Sequence, residues 1–279
     1  MHLVSTPLGH ARDVTLRALD VLAGADVIAA EDTRTARRLM ELHGVPLRGR
    51  RLVAYHDRNG PQARPGLLRA LSEGASVALV SEAGTPLVSD PGWKLAREAL
   101  DAGLPVTAAP GVSAAVTALT LSGLPADRFL FLGFLPPRRA AKRAELDAVA
   151  GVRATLICYE SPRRAAETLA DMAATLGVDR PAALARELTK RFEEVRRGTL
   201  GELAEAAAAE PPRGEVVLLA GPASPPPADD DAVDALLREA LAEDGVRDAA
   251  ARVAEATGRP RREVYARALA LRDAARGPA

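Results

Sequence analysis

Residues 79–92 read LVSEAGTPLVSDPG and give the clearest indication of architecture in this chain. The apolar run Val77 to Val80 predicts a strand, and a helical pattern resumes near Trp93. Between them, glycines permit unusual backbone angles and prolines fix φ, so the loop is expected to have a defined shape. Shaped loops at the carboxyl ends of parallel strands are where open α/β sheets bind ligands. The stretch therefore predicts a ligand-binding edge of a parallel sheet.

Apolar runs of the same kind recur along the chain and alternate with helical patterns. Strands are predicted at 2–5, 27–30, 52–54 and 105–108, then at 129–134, 155–159, 182–185 and 216–220. Antiparallel pairing is expected around 192–197. Alternating strands and helices at this spacing indicate an α/β fold. The predicted fold class is α/β, with two α/β domains at 1–118 and 119–222 and a cleft between them, where ligands are often bound.

Beyond residue 222 the composition changes. Residues 223–231 are rich in proline and aspartate and predict a linker, and residues 232–279 predict a helical tail. Three short helices are expected there, with breaks at Gly245 and at 258–260. Arg259, Arg261 and Arg262 at the second break could contact nucleic-acid phosphates. A small solvated helical bundle explains the same pattern equally well.

Composition excludes some classes of protein. Of the 279 residues, 48% are apolar and 27% charged, and the formal net charge is zero, so contact with nucleic acid or membrane must come from local patches. Cys158 is the single cysteine, so an intrachain disulfide is impossible and a reduced, cytoplasmic location is expected. Neither a signal peptide nor a membrane-spanning run is recognisable. The scattered histidines predict no metal site.

Three strand-end loops have the character of binding loops: 5–10, 81–92 and 109–115. None contains G-x-G-x-x-G or a P-loop, which disfavours ordinary dinucleotide and nucleoside triphosphate binding. The hydroxyls and carboxylates of 81–92 suit a polar ligand that carries positive charge. A capped strand-to-helix turn would explain any one loop alone, but three such loops favour a binding site.

Several segments match a known family. They read STPLGHARDVTLRAL, AAEDTRTARRLM, VSEAGTPLVSDPG, APGVSAAVTALTLSGLPADRFLFLGFLP, YESPRR and ARELTKRFEEVRRGTL. In order, and from Leu3 to Ala220, they closely resemble the ribosomal RNA small subunit methyltransferase I family of the tetrapyrrole methylase superfamily. The tail resembles that family's C-terminal segment more loosely. The chain departs from the family pattern at Glu82, usually Asp, at 10–11, usually Asn-Leu, at Gly60, usually an acid, and at Trp93, usually Tyr.

The resemblance implies an S-adenosylmethionine-dependent enzyme that methylates the ribose 2′-oxygen of cytidine 1402 in 16S rRNA of the small ribosomal subunit. It also implies a homodimer, with the cofactor in the cleft between two α/β domains. The cofactor-binding residues that it implies, matched by position, are Pro7, Gly9, Ala83, Gly84, Thr85, Pro86, Pro110, Gly111, Ser113, Ala114, Phe134, Tyr159 and Glu160.

A ribose hydroxyl is a poor nucleophile at neutral pH, so a base or a nearby cation should help to remove its proton. The candidates lie at strand ends: Glu31 with Asp32, His56, and Glu187 with Lys190. Each has a structural alternative. Asp32 could cap a helix, His56 could be a turn residue, and Glu187 with Lys190 could be a surface ion pair.

The RNA also needs a basic surface. Arg138, Arg139, Lys142 and Arg143 form the densest basic run near the expected cleft and are predicted to contact phosphates. The alternative is a solvated helix face. For the whole protein, two other functions stay open: a methylase of a tetrapyrrole or other small acceptor, and an RNA-binding protein that has lost transfer activity. Cofactor binding would separate the second from an enzyme.

Overall fold

The computed structural model describes residues 1–223 and 229–276. They form two compact units, one of residues 1–150 and 154–221 and one of residues 151–153 with those from 222 onward. Residues 224–228 of the predicted linker and 277–279 of the predicted tail lie outside the described residues. Among those described, no helix is long and apolar enough to cross a bilayer.

The first unit begins with a parallel five-stranded sheet. Its strands are β1 (His2–Val4), β2 (Val27–Ala30), β3 (Arg51–Ala54), β4 (Val77–Val80) and β5 (Thr107–Ala109), in the order β3-β2-β4-β1-β5. The helices between them are α1 (Leu16–Gly24), α2 (Thr33–Leu42), α3 (Gly60–Ser72) and α4 (Trp93–Asp101). Because helices cover both faces, a strand such as β4 is buried along its whole length, which explains its continuous apolar sequence.

The order of the strands creates a switch point between β1 and β4. From β1 the chain passes through α1 to β2 on one side, whereas from β4 it passes through α4 to β5 on the other. Leu22 of α1 and Met40 of α2 pack on one face of the sheet, while Leu67 of α3 and Leu95 of α4 pack on the opposite face. The loops after β1 and β4 therefore diverge, and such a crevice is where open α/β sheets bind ligands.

The second sheet is mixed. After α5 (Ala114–Ser122) come β6 (Phe129–Phe134), α6 (Arg139–Val149), β7 (Thr155–Glu160), α7 (Ala165–Leu176), β8 (Pro181–Arg186), β9 (Glu194–Thr199), α8 (Leu200–Ala209) and β10 (Val216–Ala220). The order is β6-β7-β10-β8-β9; β6 and β7 are parallel, and the other neighbours are antiparallel. Ala118 and Leu119 of α5 pack against Ile157 and Leu219 of this sheet. Antiparallel pairing near 192–197 is thereby confirmed at β9.

The second unit is a three-helix bundle of α9 (Asp230–Glu243), α10 (Val246–Thr257) and α11 (Arg261–Arg276). Its own small core includes Leu237, Val253 and Val264. Gly258 ends α10 with φ 66°, a left-handed conformation that glycine adopts without strain. The three helices agree with those predicted for the tail. With two α/β sheets and a helical C-terminal segment, the predicted fold class is confirmed.

Candidate active site

The loops after β1, β4 and β5 are hydrogen-bonded to one another at the switch point. Thr6 N donates to Gly84 O at 2.9 Å, and Gly84 N donates to Thr6 O at 3.0 Å. Thr85 Oγ1 donates to Val112 O at 3.0 Å, which joins the second loop to the third. These bonds fix the shape of the crevice through the protein's own backbone, as a preformed ligand site requires.

Two glycines are needed for this close approach. Gly84 has φ 77°, in the left-handed region. At Gly111 a Cβ would lie only 2.8 Å from the Cβ of Ser5, so a larger residue would separate the loops after β1 and β5. Glycine at these positions therefore reflects backbone packing at the mouth of the crevice.

Between these loops and the second sheet lies the main cavity, of about 410 Å³. It brings together eight of the predicted cofactor residues: Ala83, Gly84, Thr85, Ser113, Ala114, Phe134, Tyr159 and Glu160. Pro7 and Gly9 instead line a neighbouring cavity of about 190 Å³. Pro86, Pro110 and Gly111 are absent from both linings and belong to the loops that shape the crevice. The loops of the first sheet and the strand ends of the second thus share one cavity.

Aromatic side chains form one wall of the main cavity. The hydroxyl of Tyr159 accepts a hydrogen bond from Ala115 N at 3.2 Å, which fixes the ring against the start of α5. The rings of Phe131 and Phe134 meet Tyr159 edge to face, at centroid distances of 4.8 and 5.6 Å. Phe134 is nevertheless 58% exposed, so a flat apolar surface faces the opening.

Every charged residue among those lining the main cavity is acidic: Glu31, Glu82, Asp90, Glu160 and Glu215. Burial, together with the nearby charges of Glu31 and Glu82, raises the pKa of Asp90 to about 7. Burial and the charge of Glu82 also raise the pKa of Glu31. Carboxylates that repel one another in this way favour a cation in the cavity over an anion.

Asp32 acts as the cap of α2. Its Oδ1 accepts from Arg34 N at 2.7 Å, and its Oδ2 is ion-paired with Arg34 at 2.7 Å. The side-chain and backbone hydrogen bonds from Arg34 lower the pKa of Asp32 to about 2. A carboxylate this acidic is a weak base, so the geometry supports the structural alternative and is at odds with the predicted catalytic role.

His56 lies in a turn with Asn59. His56 N donates to Asn59 Oδ1 at 2.8 Å, and Asn59 N donates to His56 Nδ1 at 3.3 Å. His56 also lines a separate cavity of about 280 Å³, here called the tryptophan cavity because the 63% exposed Trp93 forms part of its wall. Asp90 lines both this cavity and the main one.

Glu187 and Lys190 form an ion pair beside the main cavity, with Lys190 Nζ 3.0 Å from Glu187 Oε1 and 2.9 Å from Glu215 Oε2. Glu187 Oε1 also accepts from Glu215 N at 3.0 Å. Gly214 has φ 80°, which glycine adopts without strain, and a Cβ there would overlap the Glu187 side chain. The pair is thus built into the wall formed by Gly214 and Glu215.

The predicted RNA-binding run needs a correction at Lys142. Its side chain is only 1% exposed, and Nζ lies 3.2 Å from Asp171 Oδ2 and 3.1 Å from Thr168 Oγ1. An ammonium group engaged in the interior cannot reach an RNA phosphate. Arg139 and Arg143 each donate from Nε to Asp171 Oδ1 while their side chains stay 61% and 42% exposed. Arg138 is also exposed.

The sequence indicates Asp90 as one of the polar residues of the loop 81–92 that suit a positively charged ligand, but it does not distinguish Asp90 as a candidate base. No spacing rule distinguishes the aspartate that turns inward from its neighbours. The proline on its C-terminal side and Gly92, with φ 123°, were the available signals of a constrained backbone. In the described ranges, no group of three or more His, Cys, Asp or Glu residues could hold a metal ion.

Comparison with known proteins agrees with the geometry. The model of the tetrapyrrole (corrin/porphyrin) methylases matches residues 1–204, and that of the RsmI C-terminal HTH domain matches residues 227–272. Ribosomal RNA small subunit methyltransferase I of Mesorhizobium japonicum is 49% identical over 274 residues, 98% of this chain and 92% of its own. The protein of the same name from Micromonospora olivasterospora is 47% identical, over 95% of this chain and 85% of its own.

Among solved structures, uroporphyrin-III C-methyltransferase from Thermus thermophilus complexed with S-adenyl homocysteine has a TM-score of 0.55. It is 21% identical and covers 79% of this chain and 96% of its own, so the likeness is one of fold. The matched family model spans both sheets up to residue 204, and the near full-length relatives extend the match through the helical segment. The chain belongs to the tetrapyrrole methylase family and, within it, to the ribosomal RNA small subunit methyltransferase I group.

Proposed function

We propose that this protein transfers the methyl group of S-adenosylmethionine to the ribose 2′-oxygen of cytidine 1402 in 16S rRNA. The observation that supports S-adenosylmethionine as the donor is that all charged residues lining a preformed cavity at the switch point are acidic, in a member of a methylase family. The acceptor follows from the relatives, which are named for methylation of the small-subunit ribosomal RNA.

The main cavity suits this donor. Its volume of about 410 Å³ is typical of small-molecule sites. S-adenosylmethionine carries positive charge on its sulfonium and amino groups, which Glu31, Glu82 and Asp90 complement. The other two carboxylates, Glu160 and Glu215, are ion-paired with Arg164 and Lys190. Leu8, Val88 and Leu188 add apolar walls that suit an adenine ring. Bound there, S-adenosylmethionine supplies an electrophilic methyl group.

The chain's own residues would bind and orient the reactants. We assign donor contacts to the eight cavity-lining residues named above. The role of shaping the loops is assigned to Pro7, Gly9, Pro86, Pro110 and Gly111. Glu187 and Lys190 would hold the wall at Gly214 and Glu215 in place. Methyl transfer needs donor and acceptor held in line, so this rigidity supports catalysis by orientation.

The RNA would contact exposed basic side chains near the cavity. Arg138, Arg139 and Arg143 keep this proposed role, and Lys142 does not. The C-terminal unit, which matches a helix-turn-helix model, presents the exposed Arg261 and Arg262 as further candidates.

The substrate would be the RNA within the small ribosomal subunit, and the enzyme would act in the cytoplasm. It would act as a homodimer, and sedimentation analysis of the purified protein would test this oligomeric state.

The direct test is transfer of labelled methyl from S-adenosylmethionine to purified small ribosomal subunits that lack the modification. The product is mapped by its resistance to alkaline cleavage, since a 2′-O-methyl group blocks attack on the adjacent phosphate. Label at cytidine 1402 alone is the expected result. Donor binding by calorimetry without label on the RNA would instead indicate a small-molecule acceptor.

A further inference from the structure

Asp90 occupies the boundary between two cavities. It lines the main cavity, proposed to hold the methyl donor, and also the tryptophan cavity, whose wall includes Trp93 and His56. In a nucleoside, the 2′-hydroxyl and the base are attached to adjacent ribose carbons. A ribose placed at this boundary can therefore direct its 2′-hydroxyl towards the donor while its base lies in the second cavity.

The carboxylate of Asp90 has an atom available for such a hydrogen bond. Asp90 Oδ2 is buried and has no hydrogen-bond partner among the described residues. Buried polar atoms are nearly always paired in folded proteins, and exceptions occur at catalytic sites. Because Asp90 lines both cavities, a ligand hydroxyl placed at their boundary would supply the missing partner.

We infer that Asp90 accepts the proton of the ribose 2′-hydroxyl while the base of the acceptor nucleotide occupies the tryptophan cavity. This inference rests on the proposed function. As the 2′-oxygen forms its bond to the methyl carbon, the carbon–sulfur bond breaks and its electron pair stays on sulfur. The hydroxyl proton moves to Asp90 Oδ2. The products are the 2′-O-methyl ribose, neutral S-adenosylhomocysteine and protonated Asp90.

The electrostatic surroundings fit this role. Burial, with the charges of Glu31 after β2 and Glu82 after β4, raises the pKa of Asp90 to about 7, where a general base is most effective. Burial and, to a smaller extent, the charge of Asp90 raise the pKa of the Tyr159 phenol on β7. The other charged or titratable residues that line the tryptophan cavity with Asp90 are Tyr55, His56, Asp57, Arg64 and Lys94.

The other carboxylates fit less well. Asp32 is ion-paired with Arg34 and has a pKa of about 2. Glu31 has a raised pKa but lines the main cavity and not the tryptophan cavity, so it lies on the donor side of the boundary. The geometry therefore distinguishes Asp90 from Glu31, and the substitution Glu31→Gln provides a discriminating variant.

The test compares wild type with Asp90→Asn, with Glu31→Gln and with Asp101→Asn, a control at the exposed far end of α4. Single-turnover transfer to unmodified small subunits is measured from pH 5.5 to 9, and donor binding by calorimetry. We expect the wild-type rate to rise with pH and level off above about 7. Asp90→Asn should lower the plateau by about 100-fold or more, the scale of general-base catalysis, and abolish the rise. Donor affinity should change less than tenfold.

A second readout needs no activity. An aspartate with a raised native pKa makes the native state less stable as pH rises from about 4 towards about 7, because only the unfolded chain is then ionised. Asp90→Asn should therefore raise the melting temperature, and by more at pH 8 than at pH 5. The melt also shows that the variant is folded.

The outcomes separate the two proposals. If wild type transfers methyl and Asp90→Asn retains both its rate and its pH profile, the role of Asp90 is refuted and the proposed function stands. A larger loss in Glu31→Gln than in Asp90→Asn would transfer the role to Glu31. No transfer by wild type would refute the proposed function, and the role of Asp90 with it.

Discussion

Two aspartates in the first unit have opposite surroundings. Asp171 of α7 is completely buried, yet Arg139 and Arg143 donate hydrogen bonds to it and Lys142 lies 3.2 Å away. Each aspartate has one buried oxygen without a hydrogen-bond partner among the described residues, but Asp90 faces other carboxylates where Asp171 faces cations. Burial alone would raise the pKa of Asp171, but its hydrogen bonds to Arg139 and Arg143 and the charge of Lys142 outweigh burial and lower that pKa. Burial raises the pKa of Asp90 without such opposition.

The difference separates a structural carboxylate from a functional one. Lys142, one of the cations around Asp171, also donates a hydrogen bond to Thr168 Oγ1. That hydroxyl in turn donates to Glu160 Oε2 at 2.7 Å. This network therefore braces the wall of the main cavity from behind. Asp90 lacks such support, and uncompensated buried charge is characteristic of active sites, where stability is lower in exchange for reactivity.

The largest effect is expected from removing the cation beside Asp171. Lys142→Ala leaves a buried carboxylate with two partly exposed arginines, and breaking a buried ion pair in this way costs about 3–5 kcal/mol. Urea denaturation would measure the loss in the free energy of unfolding. Arg143→Ala is the matched control, and because its side chain is 42% exposed, its loss should be clearly smaller. Equal losses would show that Lys142 has no special role.

The two aspartates should make the stability of the native state depend on pH in opposite ways. The native pKa of Asp171 is lowered from 3.8, so its ionised form contributes stability above that value and the contribution is lost as pH falls through the native pKa. Wild type should therefore lose stability between pH 5 and pH 3 more steeply than Asp171→Asn. For Asp90 the stability difference from Asp90→Asn instead develops between pH 4 and pH 7. Thermal melts from pH 3 to pH 7 measure both effects. If the melting temperatures of Asp171→Asn and Asp90→Asn departed from that of wild type over the same pH interval, the comparison would be contradicted.

Much of this molecule is predictable from sequence, and the two aspartates show where prediction stops. The strands of the first sheet are evident because burial on both faces demands continuous apolar runs, and the three binding loops follow from proline and glycine at strand ends. The sequence of α6 indicates a basic run that contacts phosphates or lies on a solvated helix face. Its cationic residues face Asp171 of α7, 28 or more positions further on, and local sequence cannot show such a tertiary pairing.

The same limit explains the candidate site. The family resemblance indicates which loops form the cavity, and eight of the thirteen expected cofactor residues line it. For Asp32 the sequence left two roles open, a catalytic base or a helix cap, and its hydrogen bond from Arg34 N supports the cap. Asp90 differs only in what surrounds it after folding, namely Glu31 from the loop after β2 and Glu82 from its own loop.

Substitution of Trp93 tests the acceptor side of Asp90. If the acceptor base occupies the tryptophan cavity, Trp93→Ala removes an exposed aromatic surface on which the base can stack. Such stacking contributes about 1–3 kcal/mol of binding free energy per base. The KM for small subunits should rise about 5- to 150-fold by that estimate, while donor affinity stays within twofold. Trp93→Phe keeps an aromatic ring and should recover most of the loss. An unchanged KM in Trp93→Ala would remove the base from this cavity.

Lys190→Ala should have the smallest effect, because this ion pair lies between the two extremes. Glu187 is partly exposed, and although burial would raise its pKa, hydrogen bonds from Glu215 N and Lys190 lower it. Loss of Lys190 should cost about 0.5–1 kcal/mol of unfolding free energy, as for other partly exposed pairs. Because Glu187 keeps its bond to Glu215 N, the cavity wall should persist and single-turnover transfer should fall less than tenfold. A loss of 100-fold or more at unchanged donor affinity would instead place Lys190 in the chemistry, beside the 2′-oxygen that Asp90 is proposed to deprotonate.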